Sequence, residues 1–403
     1  MQVLVINSGS STLKFDLVDV LAGDSLSSPQ TIKLAHGMVD RIGGEATFEI
    51  AATSGQSIAR HSVDAPSHRE ATALALDALL RQFPGGINAV GHRVVHGGDR
   101  FVAPTVIDKT VMDAIGELSE LAPLHNPGAL DGIKGVLAAL GDGVPMVAVF
   151  DTAFHSSLPD YAYTYALPHE IAERNKIRRY GFHGVAHEYM MLQYAAAHGV
   201  DPTAVRLITL QLGNGCSAAA IRGGRSVDTS MGFTPLEGLV MGTRSGDVDA
   251  SVVSYLVAKE GVEASEVETW LNKRSGLLGI SGTASDMRTL LASVAAGDRR
   301  AELAVEVFCY RVRKYIGAYM AALGGADAVV FGGGIGENAP AIRARILAGM
   351  EWCGLQLDSD RNEQMVGKQG AIGTDGGVPG IFVVQVDESL LIARQTAAAL
   401  GFE

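Results

Sequence analysis

Apolar positions along the chain fall into short runs that end at polar, glycine-rich turns, the pattern of strands that hand the backbone to loops. Residues 3–6 form one such run. The turn Asn7-Ser8-Gly9-Ser10-Ser11 follows, and alternation resumes over residues 12–17, which predicts a β-hairpin. A similar unit returns at residues 207–210, with the turn Gln211-Leu212-Gly213-Asn214-Gly215-Cys216-Ser217 and the small apolar stretch 218–221. Gly9 and Gly213 stand 204 residues apart, about half of the 403-residue chain. That offset predicts duplication of one α/β domain, each copy supplying one hairpin turn to a shared cleft.

Helical and extended patterns alternate further on. A helix is predicted over 302–323, closed by Gly324-Gly325 and followed by a strand at 328–331. Residues 381–386 read as a strand and 388–400 as a helix, with Asp387 placed to cap its first N–H groups. The class is therefore α/β. A chain of this length outgrows a single core, so two domains are expected.

Composition then works by exclusion. Apolar residues at 47% and 49 glycines suit a tightly turned α/β protein rather than a disordered or fibrous one. A formal charge of −12 with no dense Lys/Arg cluster argues against nucleic acid and anionic membranes, and leaves small metal-bound anions as ligands. Cys216, Cys309 and Cys353 are too few and too scattered for a disulfide framework or a zinc site, and read as buried free thiols. The start lacks a basic leader followed by an apolar run, and no apolar run reaches about 18 residues, so a cytoplasmic protein is expected.

Backbone N–H groups in the two Gly/Ser turns can converge on an anion, although such turns equally serve to close hairpins. A third turn strengthens the case. The strand at 328–331 runs into Gly332-Gly333-Gly334-Ile335-Gly336-Glu337-Asn338, and a helix is predicted from Pro340, an arrangement that favours nucleotide phosphate or ribose. Glu337 takes the place of the last glycine of G-x-G-x-x-G, and no G-x-x-x-x-G-K-[ST] occurs, so Rossmann and P-loop folds lose support.

Segments rich in candidate chemistry lie between these turns: His92-Arg93-Val94-Val95-His96-Gly97-Gly98, Leu121-Ala122-Pro123-Leu124-His125-Asn126-Pro127, Phe150-Asp151-Thr152-Ala153-Phe154-His155, Gly181-Phe182-His183-Gly184 and Met241-Gly242-Thr243-Arg244-Ser245-Gly246-Asp247. In order, spacing and content they resemble the acetate kinase family, within the superfamily of acetate and sugar kinases, Hsp70 and actin. The resemblance spans essentially the whole chain. It implies duplicated actin-like (ribonuclease H-like) domains with ATP and magnesium in the cleft between them, manganese being able to substitute. The activity it implies is reversible conversion of ATP and acetate to ADP and acetyl phosphate, in a homodimer. The first domain is expected at 1–152, joined by 385–403, and the second, nucleotide-binding domain at 153–384.

Carried onto this chain, the resemblance implies Asn7 and Glu388 near magnesium, Arg93 and Arg244 near the carboxyl and phosphoryl oxygens, and Asp151 and His183 beside the transferring group. It implies Val95, Leu124, Phe182 and Pro235 around the acyl methyl. Nucleotide contacts are implied for Lys14, Gln211, Leu212, Gly213, Asn214, Gly215, Asp286, Met287, Arg288, Gly333, Gly334, Ile335, Gly336 and Glu337. The chemistry is coherent, because phosphoryl transfer needs mainly positioning and charge neutralisation, which guanidinium forks and a histidine donor supply. A carboxylate with a pKa of about 4 is ionised at neutral pH and needs no general base, so Asp151 reads as electrostatic and metal-orienting.

Plainer readings stand beside these. A lone arginine is more often a surface or ion-pair residue. His183 and His187, four apart, could share a helix face as metal ligands, but no Glu follows His183 as H-E-x-x-H requires. His96, His125 and His155 read equally well as hydrogen-bonded structural residues, and Asp286 with Arg288 as an ion pair at a helix start. Three places depart from the family pattern: Gln211 stands where His precedes LGNG, Gly332 where Thr precedes GGIGEN, and Val185-Ala186 where Thr-Ser follow GFHG. Another short-chain acyl kinase, such as propionate kinase, is the near rival, differing mainly in pocket depth near Val95. An ATP-gated binding protein of the actin and Hsp70 type is the rival from another class, disfavoured because Arg93, His183 and Arg244 occur together.

Overall fold

The apolar run at residues 3–6 lies inside β1 (Gln2–Ser8), whose continuous burial reflects a central strand covered on both faces. The computed structural model describes residues 1–9, 11–22, 31–53, 57–83, 85–123 and 125–402. These form two compact units, Met1–Phe154 with Asp387–Glu403, and His155–Val386. Ser10 and Leu124 lie outside the described residues.

The first unit is built on β1, β2 (Thr12–Val20), β3 (Thr31–Asp40), β4 (Ala46–Ala52), β5 (Ser57–Val63), β6 (Ala89–Val94), β7 (Thr105–Val106) and β8 (Met146–Phe150), in the order β5-β4-β3-β2-β1-β6-β8-β7. β1, β2 and β3 are antiparallel neighbours, whereas β6 and β8 run parallel to β1. Leu4, Ile6, Leu13, Phe15, Val90 and Phe150 meet helix residues such as Leu76 and Ile133 in one apolar core. The helix Glu388–Ala399 completes this unit. Gly91 of β6 lets it come close, since a Cβ there would collide with the Thr396 hydroxyl.

The second unit holds β9 (Arg206–Leu212), β10 (Cys216–Arg222), β11 (Arg225–Thr229), β12 (Ala328–Gly332), β13 (Gly370–Ala371) and β14 (Gly380–Val383), in the order β11-β10-β9-β12-β14-β13. β9 and β10, and β10 and β11, are antiparallel, while β12 and β14 are parallel to β9 and to β12 respectively. Strand order and sense in β11-β10-β9-β12-β14 thus repeat those of β3-β2-β1-β6-β8, so the hairpins foreseen at Gly9 and Gly213 occupy equivalent places in two α/β sheets.

Several local expectations shift. The long helix is Arg299–Leu323, three residues longer at its start because the Asp298 carboxylate accepts from Arg300 and Ala301 N–H. The glycines at 333–336 belong to a short helix, Gly333–Asn338, with Gly332 extended before it. The last strand stops at Val383. Asp387 makes no capping bond; its carboxylate takes Lys33 at 2.7 Å and the Ser389 hydroxyl at 2.6 Å instead. Cys216 and Cys309 are buried, but Cys353 is half-exposed. Among the described residues, no helix is long and apolar enough to cross a membrane.

Candidate active site

In α/β sheets the groups that meet ligands gather at the carboxyl ends of parallel strands, and both units follow this rule. In the first, Asn7 and Arg93 are register partners near the ends of β1 and β6, and Asp151 comes directly after β8. Arg93 Nε donates to Asp151 Oδ1 at 2.8 Å and Nη2 to Oδ2 at 2.5 Å, a bidentate pair. Arg93 Nη1 donates to Asn7 Oδ1 at 3.0 Å, and Glu388 Oε2 lies 3.6 Å from Nε. Asp151 is 1% exposed and is fixed by its own N–H, which donates to the Val94 carbonyl.

The electrostatics follow from this crowding. Burial works against the Arg93 cation, but Asp151 and Glu388 outweigh it and hold its pKa above the ordinary arginine range. Burial raises the Glu388 carboxyl above the usual glutamate range, with Arg93 pulling the other way and Asp151 adding repulsion. Lys33 bridges Asp16 at 3.0 Å and Asp387, which pins the start of the helix that carries Glu388.

Asn7, Asp151 and Glu388 offer hard oxygen donors, the set that magnesium prefers. Among the described residues no group of three His, Cys, Asp or Glu could cage a metal. One or two carboxylates with phosphate oxygens are the usual magnesium environment, so these residues fit an ion that arrives with nucleotide phosphates.

Other expected residues of this unit lie nearby in sequence or ladder. Val95 is half-buried; the segment after it is held by reciprocal bonds between His96 and Asn126 and by Gly97 N–H on Thr152. Burial pushes the His96 ring down to about 4, which suits a neutral structural residue. Lys14, exposed, is the β2 partner of Asn7 and lines a separate cavity of about 510 Å³ with Asp16, Lys33 and His36.

In the second unit, His183 stands in the left-handed region (φ 58°) at the start of the helix Gly184–His198 and meets the Ser217 hydroxyl at 2.9 Å. Phe182 is buried, and its carbonyl accepts from His155 Nε2. Arg244 Nη1 donates to the Pro235 carbonyl at 2.9 Å, and burial holds this guanidinium below the ordinary arginine range. Gly215 lies flat against both catalytic candidates, for a Cβ there would sit 3.4 Å from His183 Nε2 and 3.8 Å from Arg244 Nη2. The structure therefore brings His183, Gly215 and Arg244 together.

A cavity of about 600 Å³ in the same unit takes in Gly213, Asn214, Asp286, Met287, Arg288, Gly334 and Ile335, with Ser285 and Asn338 in addition. Asp286 both caps the helix Met287–Ala295 and pairs with Arg288 at 3.0 Å. Leu212, Gly333, Gly336 and Glu337 shape the cavity's support instead of its lining. A Cβ on Gly333 (φ 74°) would lie 2.7 Å from the Leu212 carbonyl oxygen, and the Glu337 carboxylate accepts from Val386 N–H. Gln211 lies half-buried opposite Ser217, with Oε1 unpartnered among the described residues. Gly332 has a packing cause: a Cβ there would lie 2.6 Å from both Met190 Sδ and Val386 Cγ2.

Two residues with supporting roles escape sequence reasoning. Ser217, near the start of β10, is a common residue type that nothing in the sequence sets apart from its neighbours. Arg343, fully buried, donates to the carbonyls of Gly336 and Glu337 at the end of the glycine-rich helix, and nothing in its sequence context sets it apart.

The family model described as "Acetokinase family" matches residues 2–394. An acetate kinase of Solibacter usitatus is 49% identical over 413 aligned positions, covering 99% of this chain and 98% of that protein. In structure, the chain is similar to the Porphyromonas gingivalis acetate kinase (TM-score 0.92, 39% identity, 99% of each chain). It is likewise similar to a propionate kinase from Francisella tularensis (TM-score 0.90, 37% identity, 98% of this chain and 99% of that one).

Proposed function

This chain belongs to the acetokinase family and is a phosphotransferase with a carboxyl acceptor; on that premise we propose that it converts ATP and acetate reversibly to ADP and acetyl phosphate by direct in-line transfer. A carboxylate oxygen of acetate attacks the γ-phosphorus, the bond to the bridging oxygen of ADP breaks with its electron pair, and no proton has to move. The single observation that carries this reading is Arg93, held between Asp151 and Asn7 with Glu388 beside it at the carboxyl ends of parallel strands. A guanidinium fixed in this way is a preorganised fork for an anionic acceptor.

In this reading Arg93 orients the carboxylate, while Arg244 and His183 neutralise and hydrogen-bond charge on the transferring group. Asn7, Glu388 and Asp151 would hold magnesium, which would supply charge neutralisation at the phosphate oxygens. The cavity lined by Gly213, Asn214, Asp286, Arg288 and Gly334 takes the nucleotide, supported by its volume and glycine-rich walls. Val95, Phe182 and Pro235 bound the acyl methyl and favour acetate, although one methylene changes discrimination by only about 1–3 kcal/mol. Two copies associate, a reading supported by family resemblance and by the exposed aromatics Tyr255 and Tyr310.

The test is incubation of the purified protein with ATP, magnesium and acetate, propionate or butyrate, with acyl phosphate trapped by hydroxylamine. Hydroxamate from acetate at the highest kcat/KM is expected. Faster propionate turnover would reassign the substrate, and no hydroxamate from any acid would overturn the reaction.

A further inference from the structure

We propose that Ser217 is a positioning residue for His183, the last link of a buried relay that begins at Thr209 and leaves the His183 proton on Nε2. The proposal deepens the phosphoryl-transfer reading and rests on it for the use made of that proton.

The relay is continuous. Thr209 Oγ1 lies 2.7 Å from His187 Nδ1, His187 Nε2 lies 2.8 Å from Ser217 Oγ, and Ser217 Oγ lies 2.9 Å from His183 Nδ1. Thr209, His187 and Ser217 are all fully buried. Burial, with His155 and His183 adding to it, holds the His187 ring far below the ordinary histidine range, so it is neutral and carries one N–H.

Counting hydrogens fixes the direction. If His187 donated from Nδ1, Thr209 would accept, and its own hydroxyl hydrogen would find no acceptor among the described residues. Such an unmet buried donor is disfavoured. In the opposite sense every hydrogen is used: Thr209 donates to His187 Nδ1, His187 Nε2–H donates to Ser217, and Ser217 donates to His183 Nδ1. His183 then keeps its hydrogen on Nε2, the nitrogen that lies against Gly215 and near Arg244. Moving that hydrogen to Nδ1 would reverse three bonds and strand the Thr209 hydroxyl. The ring beside His187 is fixed too, since His155 Nε2–H donates to the Phe182 carbonyl and its ring lies 5.6 Å away, edge-on. The relay thus supplies a permanent N–H donor at the place where phosphoryl charge develops.

The experiment is long-range ¹H–¹⁵N correlation on full-length, ¹⁵N-histidine-labelled protein, with His183 assigned by its absence in His183→Gln. The wild type and Thr209→Ser should show the Nε2–H form of His183. Ser217→Ala and the near-isosteric Thr209→Val should show a tautomer mixture, with kcat about tenfold lower and both Michaelis constants within roughly twofold. An Nδ1–H signal in the wild type, or an unchanged His183 spectrum in both altered proteins, would overturn the proposal. Nitrogen shifts are read without turnover, so failure to phosphorylate any acid would remove the assigned reaction and leave the relay standing.

Discussion

Asn7 and Arg93 are partners across the parallel ladder of β1 and β6, and they share a hydrogen bond of 3.0 Å from Arg93 Nη1 to Asn7 Oδ1. The same guanidinium holds both oxygens of Asp151, so one side chain ties together the ends of three strands. Asp151→Asn keeps one acceptor oxygen but leaves Arg93 a largely buried, underpaired cation. A stability loss of about 3 kcal/mol is expected, the low end for breaking a buried pair because Glu388 remains close. Urea unfolding checks the stability, and a magnesium titration of activity should shift to higher concentration; unchanged metal dependence would count against the role given to Asp151.

Arg93→Lys isolates geometry from charge. A single ammonium cannot span Asp151 and Asn7 as a fork does. kcat/KM for acetate should fall about 100-fold or more, with nucleotide affinity in equilibrium titration nearly unchanged.

The points at which the strands hand over to loops could be anticipated from the sequence, because that signal is local. Asp151 and the Gly213–Gly215 turn follow directly on short apolar runs and stand out against them, whereas Arg93 sits inside β6 behind His92 and is marked only by the family resemblance of its segment. Other features depend on distant partners. Asp387 looks like a helix cap, yet Lys33, brought alongside by β3, claims its carboxylate. Gly332 looks like an erosion of the nucleotide turn until Met190 and Val386 are seen to fill the space of a side chain. Ser217 and Arg343 are common residue types whose roles come only from what tertiary packing places beside them.

Arg343 ties the end of the glycine-rich helix to the segment around Asn362. All five of its N–H bonds go to oxygen atoms of Gly336, Glu337, Asn362 and Met365, none of them a carboxylate, and burial pulls its pKa down to about 10. Arg343→Met strands those oxygens and frees the end of the glycine-rich helix, at a cost of about 3 kcal/mol. The Michaelis constant for ATP should rise by roughly tenfold while that for acetate holds; parallel changes in both would deny Arg343 a role specific to the nucleotide.

Acid sensitivity should come from histidines. Burial pushes His96 and His155 to about 4 and His92 to about 3, and lowers His187 as well. Between these values and about 6.5 the unfolded chain binds a proton at each position that the folded chain refuses. Stability is therefore whole above pH 6.5 and is lost as pH falls, at up to about 1.4 kcal/mol per pH unit for each histidine. Urea midpoints at pH 7.5, 6 and 5 should descend with increasing steepness; a flat profile would refute neutral burial.

Thiol chemistry offers a simple check on packing. Burial pushes the Cys216 and Cys309 thiols up to about 12, so almost no thiolate forms at pH 8, whereas Cys353 is half-exposed. Ellman's reagent should react readily with one thiol in the native protein and with all three only after denaturation. Rapid reaction of Cys216 would contradict the closed Gly213–Ser217 turn.

The helix Glu388–Ala399 packs on β6 through Gly91, yet more than two hundred residues of the second unit are translated between that strand and that helix. During vectorial synthesis the first unit thus emerges early but is finished late, with its apolar sheet face uncovered until residues beyond 387 have been made. The nascent chain must shield that face for the whole interval, so chaperone dependence should be concentrated in the part of the protein that is made first.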